Sequence, residues 1–320
     1  MRSFFKIVLG LIAGLVILGL LMKAQADRHF FDAYDPKVAL EPNAGPIESR
    51  EGYDRQALTF ASTPREAVPT LLALPKDRPS RVPCIVFLHG IGQDKDFLDV
   101  IAPTFAKAGW AITSFDQYTR GERKLSKSAS MWNQVMAFRQ RACKTVNDAR
   151  RLVDYLQTRE EIDPERIYLV GASYGAITGS TAAAFDPRFK AAVLIYGGGN
   201  LPRLLRSNAN RHELETGPLG WLKLDAAVSL ASYLMAPADP ILHAGEISPR
   251  PVLLQNGEAD DLIPTDAAQD LQAAVKDPKK IIVYPGNHIG MDEAMVYRVL
   301  NDALHWLQEQ DAQVAAAKGK

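Results

Sequence analysis

The 320-residue chain has only two cysteines, Cys84 and Cys143, far apart and with no C-x-x-C pair. That spacing speaks against a zinc ribbon or a thioredoxin-like redox site. An excess of one charge is missing too, since 37 basic residues balance 37 acidic ones. Without a basic excess or a block of like charges, the chain carries no footprint for nucleic acid and no charged interaction tail. It lacks a repeat of fixed period and any low-complexity tract, which excludes solenoids and disordered arrays. H-E-x-x-H, an EF-hand loop, a P-loop and a G-x-G-x-x-G after a strand are all missing, so no metal and no organic cofactor is implied. The glycines of "IYGGGN" end a strand-like run but lack phosphate-binding spacing. Nothing in the composition sets an oligomeric state.

What is present begins with the N-terminus. Arg2 and Lys6 precede an uncharged apolar run from Ile7 to Met22, and Ala24-Gln25-Ala26 follows it. A positive start, an apolar stretch and an A-x-A site describe a secretory signal. Counted from Phe4, with Lys6 snorkelling, the same run serves equally as a single-pass anchor. Both readings predict export through the secretion machinery. The domain then lies in the periplasm or is tethered to the outer face of the cytoplasmic membrane. Residues 1–26 are therefore set apart from the fold, and 27–55, with Pro36, Pro42, Gly45 and Pro46, read as a linker or surface arm.

From residue 56 to 310 the pattern is that of one large domain, with 311–320 left as a tail. "QALTFAS" and "AVPTLLALP" flank "TPRE" and predict an antiparallel hairpin. Short apolar runs then alternate with helical stripes: "CIVFLHG", "WAITSFD", "RIYLVGA", "AAVLIYGG", "PVLLQNG" and "KIIVYPG" are the strands. Cys84 lies in the first of these as a small buried hydrophobe. The alternation predicts an α/β fold with a mostly parallel sheet covered on both faces. About fifty residues, roughly 200–248, separate "LIYGGG" from "PVLLQNG", more than one crossover needs. They read as a small helical lid above the C-terminal ends of the strands, where such sheets bind ligands. Leu204, Leu205, Trp221, Leu222, Tyr233, Leu234 and Met235 either line an apolar pocket there or anchor the lid.

The chemistry gathers on "RIYLVGASYGAITG". Gly171-Ala172-Ser173-Tyr174-Gly175 fits G-x-S-x-G between a predicted strand and a predicted helix, the context that a nucleophile elbow requires. The serine needs strained backbone angles, and the glycines two residues either side make room for them. Serine also needs a base, with a carboxylate behind it. His288, in the turn after "IIVYPG", is the only one of six histidines that follows a late strand downstream of the serine. The turn after "LLQNG" carries Asp260 and Asp261; Asp260 is the first choice and Asp261 the alternative. Donors for an oxyanion would be the Tyr174 N–H, at the start of the helix, and the Ile91 N–H in His89-Gly90-Ile91-Gly92, whose glycines allow close backbone approach.

The stretches "FLHGIG", "VGASYGA", "SPRPVLL", "NGEADDLIP" and "YPGNHIG" resemble those of α/β-hydrolases, within them the dienelactone-hydrolase and acetyl-esterase-like branches, over about residues 56–310. The resemblance implies Ser173, Asp260 and His288 as triad, with Tyr174 and Ile91 as oxyanion donors. Two departures stand out: dienelactone hydrolases proper use a cysteine nucleophile, and Ile91 occupies the third position of an H-G-G-G signature. The expected activity is hydrolysis of small-molecule carboxylic esters through an acyl-enzyme. An acyltransferase or a serine peptidase would use the same residues, and a binding module with a silent site is the alternative of another class.

Overall fold

The computed structural model describes residues 2–78, 81–211, 220–289 and 293–318. Helix α1 (Arg2–Arg28) opens the chain. By length and composition it is apolar enough to cross a membrane, its apolar side chains are exposed, and it fits a signal or an anchor. Nine strands then form a single sheet in the order β1-β2-β3-β5-β4-β6-β7-β8-β9. Strands β1 (Asn43–Ser49), β2 (Tyr53–Thr63) and β3 (Glu66–Pro75) pair antiparallel, and β3 pairs antiparallel with β5 (Ala111–Phe115). Strands β5, β4 (Val82–Leu88), β6 (Ile162–Ala172), β7 (Phe189–Ile195), β8 (Val252–Gly257) and β9 (Lys279–Tyr284) run parallel.

Both faces of the central strands are buried, which is why these strands read as unbroken apolar runs. Alternate residues divide between two cores. Val86, Leu88, Leu169, Leu194 and Leu254 face one side, toward α3 (Met131–Leu156), α4 (Tyr174–Phe185) and α7 (Thr265–Ala274). Ile85, Phe87, Val170, Val193 and Leu253 face the other, toward α2 (Leu98–Lys107) and α8 (Glu293–Lys318). The insertion between β7 and β8 holds α5 (Leu201–Arg211), α6 (Gly220–Met235) and three short 3₁₀ turns. Cys84 is buried and Cys143 half-buried, and both are free thiols.

The register decides what can meet. Leu88 pairs with Gly171, Gly171 with Leu194, Leu194 with Leu254 and Leu254 with Ile281. The loops that follow β4, β6, β8 and β9 therefore emerge along one rim of the sheet. Parallel pairing compels this, because each crossover returns the chain to the other end of the strands before the next strand begins.

Two segments depart from the sequence expectation. Residues 43–49, read as part of an irregular arm, form edge strand β1. Pro46 falls in the register shift between Ala44 and Ile47, where a residue without an N–H is tolerated. Residues 311–318, read as a tail, continue α8. Asp311 is buried and accepts from Arg166 Nε at 2.7 Å and from Tyr168 Oη at 2.7 Å. A carboxylate answering a buried phenol and a guanidinium binds the last turns of the helix to β6. Asp311→Ala should cost about 2–3 kcal/mol in urea denaturation through these orphaned partners. Turnover per folded molecule should stay unchanged, since the contact lies at the end of the sheet away from the rim.

Candidate active site

Ser173 sits at the corner between β6 and α4 with φ 55° and ψ −118°. This conformation is costly for a residue with a Cβ, so the surroundings must impose it. Its N–H donates to Ile195 O at 2.8 Å, which ties the corner to β7. A Cβ on Gly171 would lie 2.2 Å from Gly175 O, and one on Gly175 would lie 1.9 Å from Leu88 O. Nothing larger than hydrogen fits at either position. The motif glycines thus let α4 start directly against β4 and β6, which lifts the Ser173 side chain above the sheet.

Asp260 and His288 come to the same rim from the turns after β8 and β9. Asp260 is buried; its Oδ1 accepts from Leu262 N and Ile263 N, each at 2.8 Å. Its Oδ2 is 2.7 Å from His288 Nδ1. An ionised carboxylate only accepts, so Nδ1 carries the proton and Nε2 presents a lone pair. That Nε2 lies 3.0 Å from Ser173 Oγ and is placed to accept its proton. Asp261 is exposed; its N–H donates to Asn287 Oδ1 at 2.9 Å. Of the two carboxylates left open by the sequence, only Asp260 meets the histidine.

Two supporting residues escaped the sequence reading. Asn287 Oδ1 also accepts from His288 N at 2.6 Å, so one amide side chain joins the acid turn to the histidine turn. Its position beside the histidine in "GNHIG" was the available signal. Tyr196 is fully buried at φ 51°, and its ring meets the imidazole of His288 edge-on at 5.5 Å. No sequence pattern marked it, because a tyrosine at the end of a strand reads as core.

The loop after β4 is held by its own side chain. Gln93 Oε1 accepts from Gly90 N at 2.9 Å, and His89 Nδ1 donates to Gly90 O at 2.9 Å. Burial holds His89 below the ordinary imidazole range, so it stays neutral. Gly90 is close to the elbow: a Cβ there would be 3.6 Å from Ser173 Cβ. Gly92 differs, since a Cβ would meet open space. Of the two glycines, Gly90 is the one with the elbow beside it.

Two cavities meet at Ser173. One, of about 360 Å³, lies toward α2 and α8 and is lined by Phe97, Ile101, His288, Ile289, Val296 and Leu300, among others. The other, of about 410 Å³, lies beneath the insertion and is lined by Phe138, Ile177, Leu201, Leu204, Leu205 and Met235, among others. Ser173 and Ile91 border both. Of the apolar residues singled out in the insertion, Leu204, Leu205 and Met235 line this second cavity, while Tyr233 is exposed and Leu234 half-buried. The side chains of Trp221 and Leu222 lie outside the described residues. Tyr174 supplies the first N–H of α4, and its ring also borders the second cavity. Its buried hydroxyl lacks a partner among the described residues, and burial raises it well above the usual phenol range, so it remains neutral.

Substitutions at the two kinds of glycine should separate their roles. Gly175→Ala should destabilise the fold by more than about 4 kcal/mol, because a methyl group cannot share space with a strand carbonyl. Gly92→Ala should change unfolding free energy by less than about 1 kcal/mol. Urea denaturation of the two variants beside the parent chain reads both.

The sequence matches the dienelactone hydrolase family over residues 68–309. Esterase YjfP of Escherichia coli K12 is 27% identical over 213 residues, covering 66% of this chain and 82% of that protein. Two solved structures share the fold at low identity. Acetyl xylan esterase 1 of Thermoanaerobacterium sp. JW/SL YS485 has a TM-score of 0.64 at 15% identity, covering 90% of this chain and 93% of the other. The acetyl xylan esterase of Paenibacillus sp. R4 has a TM-score of 0.65 at 18% identity, covering 87% and 92%. The chain belongs to the dienelactone hydrolase family of α/β-hydrolases and is a hydrolase.

Proposed function

We propose that the protein cleaves carboxylic esters through a covalent acyl-serine, with Ser173 as nucleophile, His288 as general base and acid, and Asp260 as the group that orients the imidazole. The observation that carries this reading is the unbroken line of hydrogen-bond contacts from Asp260 through His288 to Ser173, at 2.7 and 3.0 Å. Ser173 Oγ attacks the acyl carbon as its proton passes to His288 Nε2. The imidazolium that forms is stabilised by Asp260, whose other carboxylate oxygen accepts from the N–H groups of Leu262 and Ile263. Charge developing on the acyl oxygen is met by the N–H groups of Tyr174 and Ile91. The imidazolium then returns its proton to the departing alkoxide, and the acyl group stays on Oγ. Water enters, loses a proton to Nε2 and attacks the ester, and the carboxylic acid leaves as Oγ is reprotonated.

The position of Ser173 between two apolar cavities supports an ester with an acyl part in one and an alcohol part in the other. Both have volumes within the usual range for small-molecule sites. The apolar helix α1 supports a site of action outside the cytoplasmic membrane, with Arg2 and Lys6 remaining inside.

A fluorophosphonate should label the parent chain at Ser173 and fail to label Ser173→Ala. Ser173→Ala and His288→Ala should each abolish hydrolysis of a p-nitrophenyl ester, and the double variant should lose little more, because the members act as a unit. Multiplicative losses would sink the assignment. Asp260→Asn should lower kcat by about 10⁴-fold through loss of the correct tautomer. Asp261→Asn should stay close to the parent, and a reversed order would transfer the role to Asp261.

A further inference from the structure

The end of α1 is fastened to the rim of the second cavity. Asp27 accepts from Arg139 Nη2 of α3 at 2.7 Å, and the same guanidinium donates to the backbone carbonyl of Leu234 at the end of α6. Lys23 lies over the Tyr233 ring, 4.0 Å from its centre. Beyond the helix, Phe30 and Phe31 are buried, with Phe31 against Phe185 and His243. These contacts root the exit of α1 in the domain. The fastening residues are neighbours of the cavity wall: Phe138 precedes Arg139, and Met235 follows Leu234.

Among the described residues, the same two helices carry large exposed apolar side chains. Met131 and Trp132, in the first turn of α3, are 74% and 70% exposed, and Leu230 of α6 is 58% exposed, one turn before Tyr233. The span from Phe4 to Met22 is about 28 Å long at 1.5 Å per residue, close to the hydrocarbon thickness of a bilayer. Lys23 and Tyr233 then stand where the span ends, the depth at which amphipathic side chains settle. Helix α1 continues unbroken through Ala24-Gln25-Ala26 to Arg28.

We propose that α1 remains attached as an anchor and holds the α3–α6 rim on the outer leaflet of the bilayer. The cavity beneath the insertion then takes up esters dissolved in the membrane, amphiphiles with a long apolar chain, rather than esters diffusing in water. The substrate half of this inference rests on the ester-hydrolase reading above; the docking half does not. Large apolar side chains exposed in this way gain little in water and insert favourably at a lipid interface.

The test uses the full chain reconstituted in phosphatidylcholine vesicles. Brominated phosphatidylcholine should quench tryptophan emission in the parent, and most of that quenching should vanish in Trp132→Phe. Quenching that does not depend on Trp132 overturns the docking. The double variant Trp132→Ser/Leu230→Ser should hydrolyse p-nitrophenyl palmitate dissolved in the vesicles about tenfold more slowly, from the loss of inserted apolar area. Its rate on p-nitrophenyl acetate in the aqueous phase should be unchanged. Equal losses on both esters, or none on the palmitate, overturn the substrate inference. If the parent cleaves neither ester, the ester-hydrolase reading proposed above fails and takes the substrate half with it, while the quenching result still decides the docking.

Discussion

The contact on which the site depends is the approach of Gly175 to the Leu88 carbonyl. A helix that starts this close to the neighbouring strand leaves its preceding residue no ordinary conformation, and Ser173 takes φ 55° as a result. The strain is sustained because both sides of the corner are locked. The Ser173 N–H is bound to β7, and β6 is paired along its length with β4 and β7. A side chain on a relaxed turn would lie along the sheet surface; this one stands clear of it, at the meeting point of two cavities.

The partners of Ser173 reach it for a different reason. Asp260 and His288 are on loops, which are ordinarily the mobile parts of a fold. Here each loop is short and tied at its base. Asp260 closes its own turn through Leu262 and Ile263, and Asn287 bridges from the second turn to the first. The imidazole is confined by Tyr196 at its edge. The groups proposed to move protons are thus set before any substrate arrives, which is what electrostatic stabilisation of a transition state requires.

Helix α3 links the interior of the fold to its periphery. Asp148 of this helix accepts from Arg123, in the segment before it, and Arg123 also donates to Glu66, each at 2.6 Å, a charge network that seats the helix on the β2–β3 hairpin. Burial raises the Asp148 carboxyl despite the guanidinium, so the pairing serves to place the helix and is a weak source of stability. Nearer its start, the same helix supplies Phe138 to the cavity and Arg139 to the end of α1. The distance between the N-terminal segment and the cavity is therefore set by one rigid element.

Local pattern alone made the alternation of strands and helices legible, together with the order of serine, acid and base along the chain. These features depend on neighbours in sequence: apolar runs of strand length, glycines at fixed offsets, turns at strand ends. Contacts between distant segments decided the rest. Asp260 and Asp261 have the same chemistry and differ in which way the turn faces. Strand β1 exists because β2 offers an edge, although Gly45 and Pro46 argue locally against a strand. The last turns of α8 hold because Asp311 finds Arg166 and Tyr168 some 145 and 143 residues away. Gly90 and Gly92 look alike in "HGIG", yet only Gly90 has the elbow against it. In each case the deciding partner is remote along the chain and adjacent in space, and its energy enters only once the sheet has brought the two together.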